Sequence, residues 1–327
     1  MLTRKEIIND RELCRDKALG GFSGLAIGDT LGELARSELY HERYGVTMGL
    51  HGCSESTDDT EFAVLTAKII VASEGRVTSE AVHQAWMEYI VKPGILKKSG
   101  VVSHGAANNL RRGLKPPLSG MDNCNAWDDG AAMRIAPIGI VCAGDPEQAS
   151  EMARIDAQIS HSLDGIWGAQ AVAASVAVAM ADGTIEEIVE AGMRQIPEDS
   201  WLGRTCARAA AICQEEKTLR NAWDRLHDEL WTPVRASCPE AIPQAFSIVR
   251  LVGEQGFLDS VIAASNFGRD ADTLGAIVGA ITGARYGAKA IPDEWIQTTR
   301  KPRGIALAFA ASEDIVLLAK EIADLIH

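Results

Sequence analysis

Two acidic helix starts define the chemistry open to this chain. The first, Ser56-Thr57-Asp58-Asp59-Thr60, runs directly into Glu61-Phe62-Ala63-Val64-Leu65. The second, Asn266-Phe267-Gly268-Arg269-Asp270-Ala271-Asp272-Thr273, runs into Leu274-Gly275-Ala276. Capping accounts for part of this: Asp58 reads as an N-cap, with Glu61 three residues on completing a capping-box variant, and one of Asp270 and Asp272 reads as another cap. It does not account for both members of the second pair, or for two matching starts in one chain. Paired carboxylates beside a Thr hydroxyl are hard oxygen donors that suit Mg²⁺, Mn²⁺ or Ca²⁺, and the lack of neighbouring His or Cys argues against zinc. Where two such loops converge, four carboxylates crowd together, and their repulsion calls for bound cations.

Three further segments carry polar groups whose roles the spacing leaves open. In Asp128-Asp129-Gly130-Ala131-Ala132-Met133-Arg134-Ile135-Ala136-Pro137, either Asp reads as a cap, and Arg134 reads as a surface charge or as a group that orients a ligand or carboxylate. His161, between Ser160 and Ser162, reads as a hydrogen-bonded structural histidine rather than a catalyst. Ser103-His104-Gly105, followed by Asn108, Asn109, Arg111 and Arg112, is either a solvated helix face or a phosphate contact.

The elements that must position these groups are helices. Apolar periodicity predicts helices over 11–36, 59–74, 78–91, 103–112, 129–143, 146–159, 163–182, 199–229, 239–255, 258–267, 272–287 and 304–325. Asp145-Pro146 and Thr78 supply helix starts, and no stretch alternates long enough to require a strand. Two segments place a glycine at every fourth residue: Gly20, Gly24, Gly28 and Gly32, then Gly275, Gly279, Gly283 and Gly287. Each set forms a bare stripe on one helix face. An interior Gly costs about 1 kcal/mol against Ala, which close helix–helix packing at the bundle centre must offset. Asp29, Glu33 and Arg285 interrupt these segments and exclude a membrane-dimer reading of the stripes.

Bulk composition agrees. Apolar residues make up 46% and aromatics 5% of the 327 residues, so an Ala-, Ile-, Leu- and Val-rich core with many close glycine contacts is expected. A net charge of −13 opposes phosphate backbones and argues against nucleic acid as a partner. Seven cysteines, at 14, 53, 124, 142, 206, 213 and 238, form no Cys-x-x-Cys pair and fit reduced thiols. The Met1–Glu6 start has no apolar signal core. The longest apolar run, 166–181, is interrupted by Gln170 and is shorter than the roughly 20 residues of a membrane span. A cytoplasmic, all-α chain acting as one domain over 1–327 is the expectation, with no membrane partner and no assigned oligomeric state.

Taken together, the chain resembles the ADP-ribosylglycohydrolase family. The resemblance is carried by Gly21-Phe22-Ser23-Gly24-Leu25-Ala26-Ile27-Gly28-Asp29-Thr30-Leu31-Gly32, by Ser56 to Thr60, by Gly130 to Pro137 and by Gly268 to Gly275, in the family's order. It implies an all-α orthogonal bundle with a cleft holding two ions, Mg²⁺ or Mn²⁺. By family pattern Thr57, Asp58 and Asp59 ligate from one side and Asp270, Asp272 and Thr273 from the other. The implied activity is hydrolysis of an ADP-ribosyl N- or O-glycosidic bond on a modified protein or a small ribosylated molecule. Asp58, Asp59 and Asp272 are the expected catalytic carboxylates, joined by Glu33; Asp29, Ser103, His104, Gly105, Arg134, Gly268 and Arg269 are expected on the substrate side. Two positions depart from the family pattern. Arg36 stands where some members carry a glutamate four residues beyond the last Gly of the first motif, and Ser103-His104-Gly105 replaces a frequent Asp-x-Gly. They imply a substrate other than arginine-linked ADP-ribose. A nucleosidase-like hydrolase of a simpler ribosylated compound, and a non-catalytic binder of ADP-ribose or of a toxin, are the competing readings.

Overall fold

The two glycine stripes face each other. In a computed structural model that describes residues 1–327 apart from Cys53, Ile95 and His327, and apart from the side chains of His41 and Tyr44, helix Arg11–Arg36 runs antiparallel against helix Ala271–Tyr286. Gly20, Gly24, Gly28 and Gly32 meet Gly283, Gly279, Gly275 and Ala271 in turn, and a Cβ on any of these glycines would overlap the opposing backbone. Absent side chains thus convert into the closest approach of two helices, where Cα–H groups can meet carbonyls and dispersion contacts are dense. The fourth glycine of the second stripe behaves differently from the expectation. Gly287 lies past the helix end with φ 77° and turns the chain out, the left-handed C-terminal position that Gly tolerates.

Around this pair the chain is helical, with no strand among the described residues. The expected buried core helix is Asp164–Met180; Ala171 to Met180 are all buried, and Gln170 turns aside to donate to Ser150 Oγ at 2.8 Å. No helix among the described residues is long and apolar enough to cross a membrane. The starts at Asp145 and Thr78 form as expected, their side chains accepting from Gln148 N and Ala81 N. The six described cysteines are free thiols, five of them buried, while Cys53 lies outside the described residues.

Several predicted spans are corrected. The 199–229 span is two helices, Trp201–Glu216 and Leu219–Asp228, because Lys217 takes a left-handed φ of 61° and Thr218 caps the second. Only Ala136–Val141 is helical within 129–143, and residues 130–134 form turns. The 304–325 span begins with a 3-10 turn, Ala308–Ser312, and becomes α-helical at Ile315–Asp324. Short helices at Arg4–Asn9, Glu38–Tyr44 and Asp293–Thr299 escape the periodicity, being too short to show it.

Candidate active site

The first acidic start is built on Asp29, which projects from the first glycine helix with no exposed surface. Its carboxylate accepts from the backbone N–H of Thr57 (2.8 Å) and Thr60 (3.2 Å) and from their hydroxyls (2.7 and 2.5 Å). Asp29 therefore fastens the 57–60 turn from below. Thr57, not Asp58, is the N-cap of helix Asp58–Ala72. Glu61 completes no capping box either. It is fully buried and accepts from the N–H groups of Ile305, Ala306 and Leu307 at 2.7–2.8 Å, which seats Ile305 in the cavity wall. Released from capping, Asp58 and Asp59 are free to face the same space.

The second start is presented by consecutive left-handed residues, Gly268 (φ 90°) and Arg269 (φ 56°). Arg269 pairs with Glu240 and donates to Thr232 O, tying down the loop that brings Arg235 and Ala236 to the site. Asp270 takes the N-cap position of helix Ala271–Tyr286, yet its side chain caps nothing. Thr273 Oγ1 donates to Asp59 Oδ1 at 3.0 Å, and this bond joins the two starts across the floor.

The joint floor opens into a cavity of about 390 Å³. Its walls include Glu33, Arg36, Thr57, Asp58, Asp59, Lys98, Ser103, Asp128, Asp129, Arg235, Asp270, Asp272 and Thr273. One carboxylate oxygen each from Asp29, Asp59 and Asp272 lies within 4.8 Å of the others. Burial, reinforced by neighbouring carboxylates, weakens the acidity of these groups. Asp58 is pushed up to about 8, and Asp29 and Asp270 to about 7. Asp59 and Asp129 rise well above the carboxylate range for the same reasons. Asp129 is also buried, and its Oδ2 has no hydrogen-bond partner among the described residues. Hard oxygen donors, an orphaned carboxylate oxygen and charge crowded into a buried floor are a donor set that fits divalent cations. Among the described residues no imidazole or thiol lines the space.

The remaining candidates divide sharply. Glu33 and Ser103 stand on the cavity wall, whereas Asp29 lies beneath it and fastens the turn. Arg134 is neither a surface charge nor a wall residue. It is 1% exposed, donates to Asp156 Oδ1 (2.9 Å), Gly130 O and Ser160 Oγ, and sits over Trp86. His161, as expected, is structural, bridging Ser160 Oγ and Asp128 Oδ1 at 2.7 Å each. His104 points to solvent off the wall, and a Cβ at Gly105 would meet Asn123, which makes that glycine a packing residue. Gly268 and Arg269 shape the second turn without lining the cavity, and Arg111 and Arg112, both exposed, stand at the far end of the helix whose first turn carries Ser103. The cationic wall residues are Arg36, Arg235 and Lys98. Arg235 and Lys98 come from loops, where no periodicity marks them. Asp129 could have been found from its place in an Asp-Asp pair, like the other two clusters.

Comparison with known proteins shows the family. The family model described as ADP-ribosylglycohydrolase matches residues 10–326. A protein of Archaeoglobus fulgidus that carries no functional name is 31% identical over 291 residues, 84% of this chain and 88% of its own. The ADP-ribosyl-dinitrogen reductase glycohydrolase of Rhodospirillum rubrum is 25% identical over 304 residues, 86% of this chain and 89% of its own. A solved structure of an ADP-ribosylglycohydrolase-related protein complex superposes with a TM-score of 0.66 at 21% identity, over 97% of this chain and 100% of its own, a likeness of fold. With the motifs in order, the helices in place and a family match spanning nearly every residue, the chain belongs to the ADP-ribosylglycohydrolase family, enzymes that hydrolyse ADP-ribose linkages.

Proposed function

We propose that this protein, acting as one domain of 327 residues in the cytoplasm, hydrolyses an ADP-ribosyl N- or O-glycosidic bond with two divalent cations, Mg²⁺ or Mn²⁺. The observation that carries the reading is the convergence of two acidic helix starts on one cavity, joined by the Thr273–Asp59 bond. Thr57, Asp58 and Asp59 would hold the ions from one side, and Asp270, Asp272 and Thr273 from the other. Bound there, the cations supply Lewis-acid polarisation of ribose oxygens and a water more acidic than bulk water.

The chain's own groups do the rest. Asp29 fixes the height of Asp58 and Asp59 through the Thr57 and Thr60 bonds, so the carboxylates need little reorganisation as positive charge develops at the anomeric carbon. Asp58, Asp59 and Asp272 face that charge and stabilise the oxocarbenium-like state. Glu33, about one-third exposed at the cavity wall, can exchange a proton with the departing group and with solvent. Ser103 contributes a hydroxyl on the substrate side.

The aglycone preference follows from charge. A cationic arginine leaving group gains from nearby carboxylates, and Arg36 stands on the cavity wall among them. Neutral or anionic aglycones, a serine linkage or a small ribosylated compound, are therefore the expected substrates, ahead of arginine-linked ADP-ribose. Hydrolysis of arginine-linked, serine-linked and small-molecule substrates, compared side by side with Mg²⁺ or Mn²⁺ present, tests this. A wide lead for the arginine-linked substrate overturns the aglycone assignment. Binding of ADP-ribose no tighter than ribose or nucleosides overturns the ADP-ribosyl assignment in favour of a nucleosidase.

A further inference from the structure

Arg36 is the last residue of the first glycine helix, and its guanidinium reaches into the carboxylate cluster. Nη1 donates to Asp272 Oδ1 and lies 3.4 Å from Asp270 Oδ1, while Nη2 donates to Glu33 Oε2 at 2.7 Å. Arg235 Nε approaches the same Asp270 oxygen at 3.3 Å from a more exposed position. On the other half of the floor, no ion pair reaches Asp58 or Asp59 among the described residues. Asp58 Oδ2 accepts from Gly100 N–H at 3.3 Å, and Asp59 Oδ1 accepts from the Thr273 hydroxyl at 3.0 Å. The two sides of the site are thus electrostatically unlike: one already holds a cation and the other does not.

We propose that Arg36 is a resident counter-cation that competes with divalent metal for Asp270 and Asp272. The protein then takes one cation tightly on the Asp58–Asp59 side and a second only when the guanidinium gives way. This rests on the reading that the carboxylates hold divalent cations. Competition follows from two properties of the group. A guanidinium N–H occupies the carboxylate lone pair a metal would use, and its charge cannot be shed by deprotonation. Yielding is also built in. The Arg36 side chain is 25% exposed and is tethered to Glu33 one helical turn back, so it can swing from the Asp272 side toward solvent while keeping a carboxylate partner. Among the described residues Arg235 pairs with Asp270 and not with Asp272, and it is 55% exposed, so it screens the site without filling a ligand position on Asp272.

Titration of Mn²⁺ into metal-stripped full-length protein, followed by calorimetry and electron paramagnetic resonance, tests the proposal on wild type, Arg36→Gln, Arg36→Lys and Arg235→Gln. Wild type is expected to bind one Mn²⁺ tightly and a second at least about tenfold more weakly, as removal of a unit charge at contact distance would otherwise allow. Arg36→Gln should bind two with similar affinity and show a spin-coupled Mn²⁺ pair at lower metal concentration. Arg36→Lys, which keeps the charge but not the fork, should fall between, and it carries the test if the glutamine variant does not fold without metal. Unchanged stoichiometry and affinities in Arg36→Gln overturn the proposal, as does equal tightening in Arg235→Gln, which would trace the effect to net charge. Absence of Mn²⁺ binding in every protein would instead bring down the metal reading itself, and this proposal with it.

Discussion

At the residue scale, the floor of the cavity holds more negative charge than a folded protein sustains without compensation. Burial and then Asp272 raise Asp58 from 3.8 to about 8. An unfolded chain restores the ordinary acidity, so between those values the folded state binds more protons than the unfolded one, and stability falls as pH rises. The stabilising contribution is complete below about pH 4 and is lost as the pH climbs through the raised value. Chelator-treated protein should therefore melt at a lower temperature at pH 8.5 than at pH 5.5, with saturating Mg²⁺ removing most of the difference; a melting temperature that rises over this interval contradicts the crowding. At this scale the sequence is legible where a residue type has one use, and ambiguous where it has two. Asp58, Asp59, Asp270 and Asp272 declare themselves because capping cannot absorb four carboxylates. Thr57 and Asp58 are both competent caps one residue apart, so residue type alone points to the wrong one. Arg134 and Arg269 look like ligand-binding arginines but spend their charge on buried Asp156 and Glu240, partners separated from them by 22 and 29 positions.

Among the elements, the glycine helices set the geometry on which the chemistry depends. Asp29 rises from one of them and Asp272 from the other, so the separation of these carboxylates is fixed by how closely the helices cross. A methyl at Gly28 would overlap the Gly275 carbonyl. Gly28→Ala is expected to destabilise the fold by ~3 kcal/mol, the upper part of the range for overpacking, because backbone rather than a flexible side chain must move. Chemical denaturation measures it. A loss below about 0.5 kcal/mol, the usual scale of an innocuous substitution, would mean the crossing can relax and is not what holds the site. The stripes are readable because a four-residue glycine period, in helices that also carry charge, serves close helix packing and little else. The turns over 130–134, the break at Lys217 and the loops bearing Lys98, Arg235 and Ile305 are not. Glu61 holds the loop bearing Ile305, and Glu240 the loop bearing Arg235, and no local pattern encodes those bonds.

For the whole molecule, stability is expected to be linked to hard divalent metal. A ligand that binds only the folded state adds about 2.7 kcal/mol at a hundredfold excess over its dissociation constant. Millimolar Mg²⁺ or Mn²⁺ should raise the melting temperature of chelator-treated protein, and a melting curve indifferent to both would contradict a preformed site. The central claim is that the two acidic helix starts form one metal-dependent hydrolytic centre, and the most direct test is metal add-back. Wild type and Asp272→Ala are stripped of metal, supplied with Mg²⁺ or Mn²⁺, and assayed for release of ADP-ribose from a serine-linked or small-molecule ADP-ribosyl substrate, with circular dichroism recorded in parallel. The expected result is activity restored to wild type by either ion, none restored to Asp272→Ala, and the same helical spectrum for both. Full activity of Asp272→Ala in chelator would contradict the account.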